Sequence, residues 1–315
     1  MRKYIGFSIL TFFTLVLFLS SFINLFYYNF VVAFAFIPVV GFALVTIVLE
    51  LRGSRDYETS YPLISRKAGN DFVATFLGAV ITFFMSVNLG LGAVLASGIV
   101  GMLAALFFKP YAVPAFCGSF VGMSSPELMD PQLFIVASTV VSVIFVLCKD
   151  VFNGYGGKLG TMALSAALIC SFISGAAFLE PPVYGSLEMF LLVIFSILGA
   201  LFAYIISVRF EQGPVMGSGF IGLIAGAVLP IVFPESGGML AVVAFGASFV
   251  GMSAPKKMPE ESHIMLAGLF FGLIFIFSAP YFQGAGGKLG TIAFASVLSV
   301  YGIRHVLSHH VFKNA

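Results

Sequence analysis

Charge is what this chain has least of. Charged residues make up 9% of 315 positions and 60% of the chain is hydrophobic, whereas an ordinary soluble domain carries about 25% charged residues. No water-soluble core absorbs that much apolar surface, so a soluble globular protein is excluded. Carboxylates are missing from the middle of every apolar run. All thirteen (Glu50, Asp56, Glu58, Asp71, Glu127, Asp130, Asp150, Glu180, Glu188, Glu211, Glu235, Glu260 and Glu261) fall in loops or near run ends. That removes the proton relays and cation sites that place Asp or Glu within a membrane. Sodium held by carbonyls and hydroxyls stays open. Cysteine is scarce too: Cys117, Cys148 and Cys170 sit in apolar segments at spacings that suit neither a disulfide framework nor a metal site. They read as buried thiols.

The remaining nucleophile and ligand chemistry is equally thin. No Ser/His/Asp, Cys/His or paired-carboxylate constellation is present, so neither an enzyme nor a cofactor is expected. His263 has no partner in the repeat described below, and His305 and His309 share a helix face in the tail beside His310. These read as polar residues, and no metal is expected. A net charge of +2 gives no reason to expect nucleic acid.

What is present is apolar length. Runs of about 17 to 23 hydrophobic residues suit helices that cross a hydrocarbon layer roughly 30 Å thick. Twelve segments emerge, at 4–25, 30–51, 72–89, 91–108, 111–125, 132–148, 156–178, 186–208, 213–233, 237–254, 263–279 and 284–303. The first could pass for a signal peptide, but it is long and lacks a small-x-small cleavage site, so it reads as a retained span. The expected fold is an all-α polytopic membrane protein. Its lipid partner is the bilayer, its location the cytoplasmic (inner) membrane of a bacterium.

Three blocks of the chain recur in order. At a spacing of 121, Leu77-Gly78-Ala79 matches Leu198-Gly199-Ala200, and Gly92, Val94, Ser97, Gly98 and Gly101 match Gly213, Val215, Ser218, Gly219 and Gly222. At 129, AVPAFCGSFVGMSSP (112–126) lies on AVVAFGASFVGMSAP (241–255), eleven of fifteen identical. At 130, GYGGKLGT (154–161) lies on GAGGKLGT (284–291), seven of eight identical. Such internal similarity decides architecture. The reading is an N-terminal hairpin and loop (1–69), a first five-segment repeat (70–180), a second (181–303) and a short tail (304–315).

Lysine and arginine set the orientation, because short cytoplasmic loops are enriched in them. With twelve crossings and the N-terminus inside, Arg2, Lys3, Arg52, Arg55, Arg66, Lys67, Lys109, Lys149, Arg209, Lys256, Lys257, Arg304 and Lys313 all face the cytoplasm, thirteen of the fifteen basic residues. Both termini are then cytoplasmic and the five-segment repeats are inverted, a plan many secondary transporters use. The third segments, 111–125 and 237–254, are short and rich in Gly, Ser and Pro, hence broken or re-entrant. If they re-enter, the halves are parallel and only Lys149 and Arg209 change sides.

The two basic residues left over, Lys158 and Lys288, carry the candidate site. In each glycine block, Gly156-Gly157 and Gly286-Gly287 allow a tight turn and close backbone approach. An apolar helix then starts, whose first turn offers unpaired N–H groups and a partial positive charge. With a lysine and a hydroxyl (Thr161, Thr291), that arrangement suits an anion. A P-loop is excluded by the spacing and by the leucine after each lysine. The structural alternative is a lysine that snorkels to the headgroups. Asn153 and Gln283 stand one residue before each block. In the other motif, Ser119, Ser124, Ser248 and Ser253 accompany glycines ahead of Pro126 and Pro255, where each helix is expected to break. Inversion would bring Lys158 towards 248–255 and Lys288 towards 119–126. The function expected is transport of a small solute, an anion by these groups, along a path between the repeats, with homo-oligomerisation open. The alternatives are transport of a neutral solute or cation with structural lysines, or a non-transporting partner of a membrane assembly.

Overall fold

A computed structural model describes residues 2–28, 30–53 and 60–313. Arg55, Asp56 and Glu58 lie outside the described residues, as do the side chains of His309, His310 and Lys313. Among the described residues every regular element is helical. The twelve α-helices are α1 (Arg2–Tyr28), α2 (Phe30–Gly53), α3 (Arg66–Phe83), α4 (Ala93–Phe107), α5 (Ala112–Val121), α6 (Pro131–Cys148), α7 (Lys158–Ser174), α8 (Ser186–Tyr204), α9 (Pro214–Val232), α10 (Gly237–Ser248), α11 (Glu261–Phe277) and α12 (Lys288–Lys313). Seven of them, α1, α2, α3, α6, α8, α9 and α12, are long and apolar enough to cross a membrane, and α4, α7, α10 and α11 are apolar but shorter. Helix α5 has 10 residues, a rise of about 15 Å, half a hydrocarbon core.

Local chemistry explains where these helices start and stop. The polar loop is shorter than the sequence suggests: Arg66 and Lys67 already belong to α3, because Ser65 caps it by accepting from the Ala68 N–H at 3.2 Å. Asp130 caps α6 in the same way, with Pro131 at its first position. Both short third segments leave the helix ahead of their prolines. Helix α5 stops at Val121, and α10 passes through a single 3₁₀ turn, Val250–Met252, into extended Ser253.

Backbone irregularities recur at the spacings of the sequence repeat. Single π turns follow α3 (Phe84–Asn88) and α8 (Ile205–Arg209). Left-handed backbone occurs at Gly90 and Glu211, Gly92 and Gly213, Phe152 and Phe282, Gly154 and Gly284, and Gly157 and Gly287. For a bulky residue such as Phe152 (φ 50°) or Phe282 (φ 57°) this conformation costs on the order of 1–3 kcal/mol and needs support from its surroundings. Phe152 has it, fully buried, stacked on Phe7 at 4.8 Å and edge-on to Phe294 at 5.1 Å.

Matching helices cross each other, and their contacts give a direction. A methyl group on Gly98 of α4 would lie 2.6 Å from the Leu223 nitrogen of α9; one on Gly219 would lie 2.9 Å from that of Met102, and one on Gly226 3.0 Å from that of Leu95. As the number rises along α9 it falls along α4, so the pair runs antiparallel. Helices α7 and α12 repeat the pattern. Gly160 meets Gly290 at 2.4 Å, Gly157 meets Phe294 at 2.3 Å and Gly287 meets Leu164 at 2.3 Å, each measured from a Cβ the glycine lacks. Only glycine permits such approach, the usual means of helix association where no hydrophobic force operates between helices.

Polar contacts collect the basic residues on one face. Arg2 pairs with Asp150 at 3.3 Å and donates to the Tyr61 carbonyl at 2.8 Å, while the Lys149 ammonium lies 3.9 Å above the Tyr61 ring. Lys257 pairs with Glu50, at the end of α2, at 2.5 Å, and Arg304 donates to the Lys257 carbonyl at 2.6 Å. Arg209 pairs with Glu261 at 2.6 Å, and Asn70 in the first turns of α3 donates to the Tyr111 hydroxyl at 2.9 Å. At the other end of α1, Asn24 donates to the Phe277 carbonyl at 3.1 Å. The hairpin α1–α2 packs on α6, α7 and α12 and ties both halves together.

Candidate functional site

The two conserved-in-repeat motifs meet across the halves, each completing the other. Gly156 N–H donates to Ser253 Oγ at 3.2 Å and Ala254 N–H to the Gly154 carbonyl at 2.9 Å. The mirror contacts are Gly286 N–H to Ser124 Oγ at 3.0 Å and Ser125 N–H to the Gly284 carbonyl at 2.9 Å. The glycine blocks therefore approach the segments expected from inversion. Space dictates the glycines: a methyl on Gly156 would sit 2.2 Å from the Phe249 carbonyl oxygen, and one on Gly286 2.2 Å from that of Phe120.

Each assembled loop walls a cavity. The first, about 570 Å³, is lined by Asn153 to Leu159, by Lys149, Ser253 and Glu211, and by Pro214 at the start of α9. The second, about 220 Å³, is lined by Gln283 to Leu289, by Tyr184, Met123 and Met239, and by Ala93 and Val94 at the start of α4. The first lies by the basic face, since Tyr155 donates to Glu50 at 2.8 Å. The second lies towards the other end of α1, since Lys288 in its wall donates to the Ser278 carbonyl, next to the Phe277 carbonyl that accepts from Asn24. Two helix starts face each cavity, α7 and α9 in one, α12 and α4 in the other. Helices α4, α7 and α9 lack a side-chain cap, so their first-turn N–H dipoles are available to a ligand.

Both lysines are held by carbonyl groups of their own half. The Lys158 ammonium donates to the carbonyls of Lys149 (2.7 Å) and Val151 (3.0 Å) and to Asn153 Oδ1 (3.0 Å). It thereby holds the frayed C-terminal end of α6 beside the start of α7. Lys288, 7% exposed, donates to the Ser278 carbonyl at the end of α11, 2.8 Å away. The equivalence of Asn153 and Gln283 stops at sequence position: Asn153 accepts from the lysine, whereas Gln283 donates to the Ala279 carbonyl at 2.7 Å. The hydroxyls divide as well. Ser253 lines the first cavity. Ser119 and Ser248 are fully buried and pair instead with Ser97 (2.8 Å) and Ser218 (2.6 Å), locking α5 to α4 and α10 to α9. Thr161 and Thr291 are buried away from both cavities, Thr291 donating to the Gly287 carbonyl at 3.3 Å.

Sequence reasoning passed over the most central residues. Phe120 and Phe249 line both cavities, with ring centroids 4.5 Å apart. Phe116 lies 4.6 Å from Phe120, and Phe245 lies 4.8 Å from Phe249. All four are at most 1% exposed. The signal was available, since Phe116 matches Phe245 and Phe120 matches Phe249 at the same spacing of 129. Phenylalanine in an apolar run simply looks like packing. Known protein families, characterised proteins and solved structures all yield no match to this chain.

Proposed function

We propose that the chain is a membrane transport protein that passes a small anion between two vestibules at the interface of inverted five-segment repeats. One observation carries this reading: two cavities on opposite sides of the same pair of phenylalanines, each built from the same motifs. Antiparallel crossing of α4 with α9 and of α7 with α12 supports inversion. So does the placing of Lys149 beside Arg2, and of Arg209 beside Glu261, on the face that holds Lys257 and Arg304. That face is the cytoplasmic one by the distribution of lysine and arginine. A lysine and two helix starts at each vestibule favour negative charge in a medium that screens it poorly. Such irregular backbone at membrane depth is found where it lines a cavity.

The test is shrink–swell light scattering of proteoliposomes. In isotonic potassium chloride with valinomycin, swelling requires anion entry; in isotonic urea it requires neutral entry. The anion reading expects swelling in the first medium, abolished by Lys158→Met and by Lys288→Met in folded protein. Swelling in urea alone, untouched by either substitution, overturns it. A second reading, a neutral solute with structural lysines, is favoured by one observation: Lys158 spends its ammonium hydrogens on three protein acceptors.

A further inference from the structure

We propose that Phe120 and Phe249 are the gate of this pathway, each held shut by the glycine loop of the opposite half; this rests on the transport reading above. Three observations converge. Among the described residues the two rings are the wall that the two cavities share, they contact each other at 4.5 Å, and Phe116 and Phe245 back them with further apolar surface. A plug of four phenylalanines offers a hydrated ion no replacement for its water, so it blocks conduction as a dewetted constriction does. Water and solute pass only when the rings part.

The same geometry supplies the lever. Phe249 and Phe120 present their carbonyl oxygens to Gly156 and Gly286, so closely that a single methyl group would displace them. The loop that carries Gly156 also carries Lys158 and forms the wall of the first vestibule. A solute seated against that loop shifts the backbone on which the Phe249 ring is mounted, and the Gly286 loop does the same for Phe120 from the other side. Each vestibule thus operates the ring contributed by the opposite half. The glycine blocks and the S-F-V-G-M-S segments are two parts of one device, which explains why both recur together.

The experiment uses the full chain in proteoliposomes, with potassium chloride, potassium gluconate (each with valinomycin) and urea as probes. Phe120→Ala, Phe249→Ala and the double variant are compared with the unaltered protein. Opening the plug is expected to speed chloride-driven swelling, about tenfold for each 1.4 kcal/mol of barrier removed, and to narrow the preference for chloride over gluconate, most in the double variant. A folded double variant with unchanged rate and unchanged preference overturns the gate, whether or not the unaltered protein passes chloride. If the double variant does not fold, the two single variants decide by the same criteria. An unaltered protein that passes no probe, beside a double variant that does, upholds the gate; a double variant that passes urea alone overturns the anion assignment as well.

Discussion

Replacing each motif lysine by methionine separates what the ammonium holds from what it attracts. Methionine keeps most of the unbranched apolar stem and removes its donors. In Lys158→Met the carbonyls of Lys149 and Val151, both partly buried, lose their partner, and Asn153 loses a bond nearer the surface. At about 1–3 kcal/mol for each buried acceptor left unpaired, the two carbonyls amount to about 2–6 kcal/mol. Lys288→Met takes one of two donors from the Ser278 carbonyl, which keeps the Tyr281 N–H at 3.0 Å, for about 0.5–1.5 kcal/mol. Removing a charge from a buried place offsets part of the loss in both, so the difference, about 3 kcal/mol between the midpoints, is the quantity to measure. At about 2–4 °C per kcal/mol, Lys158→Met should melt about 6–12 °C below Lys288→Met. The chain supplies its own probe, because Cys117, Cys148 and Cys170 are free and buried and a thiol-reactive fluorogenic dye reports their exposure on heating in detergent. Equal melting of the two variants, or the reverse order, would show that the carbonyl contacts do not hold these lysines.

Other expectations follow from single contacts. Cysteines placed at 149 and 209 should both be labelled from the cytoplasmic side; external labelling of both would refute inverted halves. Burial alone would raise the Asp150 carboxyl, but hydrogen bonds from Ser60 and Lys149 and the Lys149 charge outweigh it and hold it below its ordinary value. Its stabilising contribution is therefore complete above about pH 4 and disappears as pH falls through the lowered value. Asp150→Asn should lower the melting temperature at neutral pH and remove this part of the acid sensitivity; an unchanged acid limb would sink that assignment. Gly160→Val, which drives side-chain atoms into the Gly290 backbone, should cost about 1–3 kcal/mol or more and is checked by the same dye-based melt, where wild-type stability would contradict the crossing.

The helical character and the pairing of glycine block with proline block were readable in the sequence, for an identifiable reason. Duplication supplies a second copy, so a matched Gly156 and Gly286 stand out from the other glycines of an apolar chain. Element ends were less readable. Ser65 starts α3 within a stretch whose charges look like loop, and α5 stops at Val121 while its apolar run continues. Side-chain direction was not readable at all: spacing cannot tell whether Lys288 reaches out to headgroups or in to the Ser278 carbonyl. The phenylalanines were visible yet silent, because the two cavities that Phe120 and Phe249 both line exist only in the folded chain.

The exchange of loops carries a consequence for how such a chain could arise and be dismantled. Gly156 and Gly286 each find their serine in the other half, so a lone half would be left with a glycine loop that has nothing to seat against. If the halves are inverted as proposed, it could satisfy that loop only by meeting another copy of itself inserted upside down. On that reading a single-copy forerunner would have to enter the membrane in both orientations, with little bias in its basic residues, and the face crowded by Arg2, Lys149, Lys257 and Arg304 is what a fused gene could add once linkage fixes the two orientations.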